Sequence, residues 1–353
     1  MLNRSKTESK NRSKNKGMKR ARLPLIAALL FACALDVGTA APALAQTLAQ
    51  TPAPADWPSR PVTVIVPFAA GGGTDLFARL LGAQMAKGFG QPVLVENRPG
   101  ASGNIGAEAV FRAVPDGHTL LYTTAIFATA TPFYPKLAFD AQRDFQSVTI
   151  AARIPHVLVV HPSLPVKTLK EFVALAKKRP DTLVFASTGM GSMSHLSLEL
   201  FQARSGVRST VVHYRGAAPA STAVLSGEAS FSILVPPVMQ QQVKAGKMRA
   251  IATAAQTRSA VMPEVPTFAE QGLPEIEANQ WHGAFVHAKV PAPVVDRLYR
   301  AFSAALALPE VRNRFAAEGG EPVGSSPVES AAFYRAEIAR WGAVMQKSGI
   351  TPE

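Results

Sequence analysis

From Trp57 onward the chain keeps returning to one local pattern: a short β-branched run, a turn rich in glycine, then apolar residues at helical spacing. This alternation restricts the fold more than any other feature. Val62 to Val66 is the first run, and Leu76, Leu80, Ala83 and Met85 recur at roughly helical intervals after it. Val93 to Glu96 begins a second unit, with a Gly-rich turn from Arg98 to Gly103 and a helix from about Asn104 to Ala113. Thr119 to Thr123 opens a third. Further strands are expected at Val157–Val160, Thr182–Ala186, Val211–His213, Phe231–Leu234 and Arg249–Thr253, separated by helices near Leu169–Lys178, Ser194–Arg204, Pro219–Leu225 and Val238–Ala245. Strands joined through helices run parallel, since a crossover of helix length returns the chain to the same end of a sheet. The pattern predicts an α/β protein with mostly parallel sheets covered on both faces, followed by two or three helices from Ala292 to Ser348.

The segment before Trp57 reads as an address. A basic stretch ending in Met18-Lys19-Arg20-Ala21-Arg22 runs into apolar Leu23 to Leu35, and small residues lead to Ala43-Leu44-Ala45. That order is a secretory signal peptide with cleavage expected after Ala45. Met18 is the favoured start. Residues 46–56 form a flexible leader. Residues 1–45 hold nine Lys or Arg against Glu8 and Asp36, so seven of the thirteen net positive charges leave with them. The six that remain form no basic stripe with interleaved aromatics, which excludes nucleic acid as a partner. Cys33 is the sole cysteine and lies in the apolar stretch, so the mature chain has no thiol or disulfide. Lipidation at Cys33 is the alternative to cleavage at Ala45. The 308 residues left after Ala45 exceed what one core usually serves, which predicts two lobes.

Several of these strands end in small or polar residues before the next helix, and open α/β sheets bind ligands at such ends. Candidate binding residues follow from that placement. Phe68, Gly72, Gly73, Thr74 and Asp75 occupy the loop after the first strand, where glycines let N–H groups at a helix start meet an anion. The same loop also reads as a tight turn capped by Thr74 or Asp75. Ala101, Ser102 and Gly103 form a second loop of this type, and two helix starts could pinch one carboxylate. Thr123 and Thr124 end the third strand. In the second lobe Ser187, Thr188, Ser192 and His195 surround a helix start, with His195 as a donor to ligand oxygen and Ser192 or Ser194 as the capping alternative.

Other chemistries find no support. The glycine loops lack the Lys-Ser/Thr ending of a P-loop and the G-x-G-x-x-G of dinucleotide sites, so nucleotide binding is discounted. No G-x-S-x-G elbow occurs, which argues against a hydrolase. The seven histidines are scattered, and no metal or other cofactor is expected.

The motifs from Trp57 to Asp75 and from Val95 to Gly106 resemble the tripartite tricarboxylate transporter substrate-binding family, the Bug-type receptors. The likeness continues through Pro115-Asp-Gly117, Tyr134-Pro-Lys-Leu137, Leu158-Val-Val-His-Pro162, Lys244-Ala-Gly-Lys247, Pro263-Glu-Val-Pro-Thr267 and Pro291-Ala-Pro-Val294. It implies a two-lobed periplasmic-binding-protein fold, with chain crossings near Pro155–Val159 and Asn279–Val286 and tail helices returning to the first lobe. The lobes would then comprise residues 57–156 with 282–353, and residues 157–281. The resemblance also implies that one ligand carboxylate is held through backbone groups and water, with Arg98 bracing its loop.

One departure bears on the ligand. Relatives of this kind often carry an Asp where Leu234 stands, suited to a ligand amino group. Leucine there favours a small carboxylate with an apolar, aromatic or dicarboxylic body over an amino acid, unless Leu234 packs wholly into its lobe. The expected protein is thus a monomeric, non-enzymatic periplasmic receptor for a small carboxylate that serves integral-membrane transporter subunits. A binding protein feeding a membrane sensor is the alternative, and a hydrolase on the same fold ranks below both.

Overall fold

The computed structural model describes residues 57–134 and 136–350, so the expected signal peptide, Cys33 and the leader lie outside the described residues. The first part of the chain runs β1 (Val62–Val66), α1 (Gly73–Phe89), β2 (Val93–Asn97), α2 (Asn104–Phe111), β3 (Thr119–Thr124), α3 (Ala130–Phe133) and β4 (Phe145–Pro155). Four of the five residues of β1 are buried, as in a strand covered on both faces. α1 buries Phe77, Ala78, Leu81 and Met85. The buried stripe is therefore turned from the expected one, and Leu76 stays 41% exposed. Gly90 ends α1 in the left-handed region, its N–H donating to the Ala86 carbonyl.

A second set follows: β5 (Val157–Val160), α4 (Leu169–Lys178), β6 (Val184–Ser187), α5 (Met193–Ser205), β7 (Thr210–His213), α6 (Ala217–Ser226), β8 (Phe231–Leu234), α7 (Pro236–Lys244) and β9 (Arg249–Thr253). The chain then returns through β10 (Asn279–His287), α8 (Ala292–Ala307), α9 (Pro309–Ala317), β11 (Glu321–Pro322) and α10 (Pro327–Lys347). α4 and α10 each begin with a capping box, Thr168 with Glu171 and Ser326 with Glu329.

These strands form two sheets, ordered β11-β4-β10-β3-β1-β2 and β7-β6-β8-β5-β9. The α/β class and the division between two sheets agree with expectation, while the strand directions are more mixed. β1 runs parallel to β2 and β3, and β6 to β7 and β8. The remaining pairings are antiparallel, and each includes β4, β5 or β10. Those strands carry the chain between the sheets. A chain that leaves along β4 and returns along β10 must run in opposite directions in adjacent strands.

The first crossing is the single residue His156, between β4 and β5. The second lies just before Asn279, because β10 pairs with β4 from Asn279 onward, so it precedes the expected 279–286 stretch. Backbone bonds tie the two crossings together: His156 N–H to the Ala278 carbonyl at 3.0 Å, Ala278 N–H to Ala254 at 2.9 Å, and Ala254 N–H to His156 at 2.7 Å. One buried cluster contains side chains from both sheets, including Leu121, Phe231 and Trp281, together with Phe127 after β3 and Phe172 of α4. α10 packs on β4 of one sheet and on α5 beside the other. The crossings are thus braced by shared core.

Candidate functional site

Between the sheets lies a cavity of about 330 Å³. Phe68, just after β1, and Thr124 and Ile126, at the end of β3, form one wall. The facing wall comes from three successive strand ends: Thr188, Ser192, Met193 and Ser194 after β6, Gly216 and Ala217 after β7, and Ile233, Leu234 and Val235 at the end of β8. His156 at the first crossing and Gln280, in β10 just after the second, also line it.

Local sequence explains these positions. Gly189 and Gly191 have φ of 138° and 66°, which lets the chain turn sharply from β6 into α5. Ser192 caps α5, its hydroxyl accepting the His195 N–H at 3.3 Å and the Thr188 hydroxyl at 2.9 Å. α6 starts after Gly216 with no side-chain cap, so its first-turn N–H groups keep their partial positive charge beside the cavity. Ser194 is 1% exposed and its Oγ has no partner. Hydroxyls, uncapped N–H groups and apolar walls are therefore present together, while no acidic or basic side chain lines the cavity. His156 adds no charge at neutral pH, for burial pushes it down to about 4.

Of the residues expected from sequence, Phe68, Thr124, Thr188, Ser192 and Leu234 line this cavity. Leu234 is 1% exposed and also packs with Val157, Val159 and Met239, so it is both core and cavity wall. Gly73 and Thr74 line a neighbouring cavity.

The other expected residues do different work. Asp75 is buried and braces its loop. Its carboxylate accepts the Gly71 N–H at 2.9 Å, Arg79 Nε at 3.1 Å and Asn97 Nδ2 at 3.0 Å. Burial raises its pKa, but those bonds outweigh it and hold the group below the usual carboxylate value. Asn97 Nδ2 also donates to the Phe68 carbonyl at 3.1 Å, so the brace fixes a cavity residue. Gly72 is the cap residue of α1.

Ala101 and Ser102 have φ of 46° and 54°, and the Ser102 hydroxyl bonds Tyr134 Oη at 2.8 Å. A Cβ on Gly103 would lie 3.4 Å from the Pro67 Cβ. This second glycine loop therefore supports the first and does not reach the cavity. Arg98 pairs with Glu96 at 2.8 Å. Thr123 is buried behind the wall, and Ser187 donates to the Gly189 carbonyl at 2.9 Å to hold the turn. His195 also faces inward: Gly191 N–H donates to its Nδ1 at 3.2 Å, and its ring meets His213 edge-on at 4.7 Å. Burial and then the His213 charge push it down to about 4, so it acts as a neutral loop anchor.

Sequence reasoning missed Ile126, Met193, Ser194, Gly216, Ala217, Ile233 and Val235, and the crossing residues His156 and Gln280. A glycine between β7 and the next helix was the available signal for Gly216. The crossing residues were findable from the principle that a hinge borders its cleft. Among the described residues no group of three His, Cys, Asp or Glu could hold a metal ion, and no helix is long and apolar enough to cross a membrane.

Comparison with known proteins places this geometry in context. The sequence profile of a family described as the tripartite tricarboxylate transporter family receptor matches residues 77–350. Protein BugT of Bordetella pertussis is 35% identical over 314 residues, which cover 88% of this chain and 94% of that protein. Among solved structures, R. palustris Rpa4515 with adipate superposes with a TM-score of 0.74 at 35% identity, covering 84% of this chain and all of that one. MatC (Rpa3494) from Rhodopseudomonas palustris, with bound malate, gives 0.70 at 37% identity, covering 82% and 99%.

Proposed function

The chain belongs to the tripartite tricarboxylate transporter receptor family, and from that premise we propose that it captures a small carboxylate with an apolar body and delivers it to the membrane subunits of such a transporter. The receptor acts as a monomer in the periplasm, exported by a signal peptide removed after Ala45. The observation that carries the ligand class is the first cavity, whose walls hold hydroxyls, uncapped helix N–H groups and apolar side chains but no charged one. N–H groups and hydroxyls can replace the water around a carboxylate. An ammonium group finds no counter-charge there, and burying it unpaired costs several kcal/mol, on the order of a thousandfold in affinity. Adipate bound to Rpa4515 and malate bound to MatC are both carboxylates without an ammonium group.

Calorimetry on protein prepared from the periplasm tests the reading. The protein should begin at Gln46 and bind glutarate at least tenfold more tightly than glutamate, and Leu234→Asp should weaken glutarate at least tenfold by setting a like charge beside it. Glutamate binding as tightly as glutarate would refute the ligand class, and an intact Met18 on the periplasmic protein would refute the export step.

A further inference from the structure

At one edge of the cleft a run of contacts joins loops from both walls. The turn after β2 holds Gly100 at φ 126°, and a Cβ there would lie 2.5 Å from the Ile105 Cδ1, so Ile105 rests on that glycine. Its side chain is nonetheless 51% exposed. In the same turn the Ser102 hydroxyl bonds Tyr134 Oη at 2.8 Å, and the Tyr134 ring meets Phe133 edge-on at 4.9 Å. Phe133 in turn packs against Gly191, which follows Met190 in the turn after β6. That turn is bound to the one after β7, the Gly216 N–H donating to the Thr188 carbonyl at 3.1 Å, which sets Arg215 alongside.

The side chains that this run presents to solvent are of two kinds. Met190 is 51% exposed, whereas every other described methionine is 4% exposed or less. Ile105 and Met190 thus put apolar surface in water from opposite walls. The segments of the run, residues 98–105, 133–137, 187–192 and 213–216, contain Arg98, Lys136 and Arg215 and no Asp or Glu. From outside them, Glu96 pairs with Arg98, and Glu228 accepts the Tyr214 hydroxyl at 2.7 Å. Lys136 and Arg215 are exposed and form no ion pair among the described residues. Each wall therefore offers one bare apolar side chain and one unpaired cation, a pattern whose complement is apolar and acidic.

We propose that this rim is the docking surface for a periplasm-facing segment of the transporter's membrane subunit, a segment that carries acidic and apolar side chains. The inference rests on the transporter reading of the protein. Ile105 and Lys136 supply one half of the surface and Met190 and Arg215 the other, so it is whole only while Phe133 meets Gly191. A partner that needs both halves binds the receptor more tightly with its walls together than with its walls apart, and thereby selects the loaded form. The flexible thioether of Met190 adapts to the partner's apolar side chains, and the cations steer its acidic ones. None of the four side chains lines the ligand cavity, so docking and ligand binding are separable by substitution.

The test is uptake of labelled glutarate by cells of the native host that lack this gene and carry it again on a plasmid, with calorimetry on the same purified proteins. The wild-type gene should restore uptake. Ile105→Ser with Lys136→Glu, and Met190→Ser with Arg215→Gln, should each lower uptake at least tenfold while glutarate affinity stays within twofold. All four side chains are exposed, so both double variants should keep the wild-type unfolding midpoint. Val328→Ser, which trims an apolar residue 80% exposed at the start of α10, should leave uptake unchanged. Wild-type uptake by either double variant overturns the docking surface while leaving the transporter reading standing. A loss of uptake matched by an equal loss of affinity overturns it too, because the rim would then serve the ligand and not a partner. A matching loss with Val328→Ser has the same consequence, since apolar exposure anywhere would then suffice. A wild-type gene that restores no uptake overturns the transporter reading and the surface with it.

Discussion

Two histidines at the cleft show how burial sets chemistry residue by residue. Both His156 and His282 are pushed by burial from their ordinary 6.5 down to about 4. The unfolded chain takes up those protons below pH 6.5, while the native chain takes them up only near 4. Stability that is complete above pH 6.5 is therefore lost as pH falls toward 4, by about 2 kcal/mol per histidine at pH 5. Carboxylates held low, such as Asp75, act below that window. Urea unfolding at pH 7 and pH 5 should show the loss, and His156→Gln should remove about a third of it, because His195 contributes in the same way. An equal midpoint at the two pH values would contradict neutral burial of these rings. At the same scale, Asp75 shows why residue type alone leaves a role open. An acidic residue beside a glycine loop can meet a ligand or cap the loop, and only the positions of Arg79, Asn97 and Gly71 make it a brace.

Elements were legible where the sequence contains its own boundaries. The capping box of α4 and the left-handed glycine after α1 mark those ends by local hydrogen bonding alone. β4 and β10 carried no such marks. Their side chains are buried almost throughout, so they lack the alternation that marks a strand at a surface. The glycine loops give an element-scale prediction. A Cβ on Gly106 would lie 2.7 Å from the Pro67 Cβ and 3.1 Å from the Arg98 carbonyl oxygen, so α2 sits against the end of β1 only because residue 106 is glycine. Gly106→Ala should push α2 outward and cost about 1–3 kcal/mol, read as a lower unfolding midpoint with weakened ligand binding. An unchanged midpoint would mean that the loop yields without strain.

Across the whole molecule the two walls already touch at the rim of the cleft. Phe133 of α3 packs against Gly191, where a Cβ would lie 3.2 Å from its ring, and Gly319 sits where a Cβ would be 2.9 Å from Pro236 and 3.0 Å from Val261. These contacts join α3 and the end of α9 to the segments that follow β6 and β8, and a closed arrangement of the walls would keep them. Ligand that binds both walls should favour that arrangement. Small-angle scattering of the wild type should show a smaller radius with saturating ligand. Gly191→Leu, strained at φ 66° and wedged against Phe133, should keep the larger radius and weaken binding at least tenfold. A variant that closes and binds like the wild type would show that Phe133 and Gly191 do not govern closure.

The alternation of β-branched runs, glycine turns and helical stripes settled the α/β class, and the long motifs around the two glycine loops settled the family, because each is a short-range property of the chain. The positions of loops at strand ends also marked Phe68, Thr124, Thr188 and Ser192 as cleft residues. Tertiary structure alone decided which strands run antiparallel, since direction depends on where the chain crosses between sheets. It also decided that Ala101 to Gly103 support a neighbouring loop, that His195 anchors its turn, and that Arg314, far along the chain, faces the same cleft as Gly73. Those roles depend on partners brought together from distant parts of the sequence, and no local pattern records them.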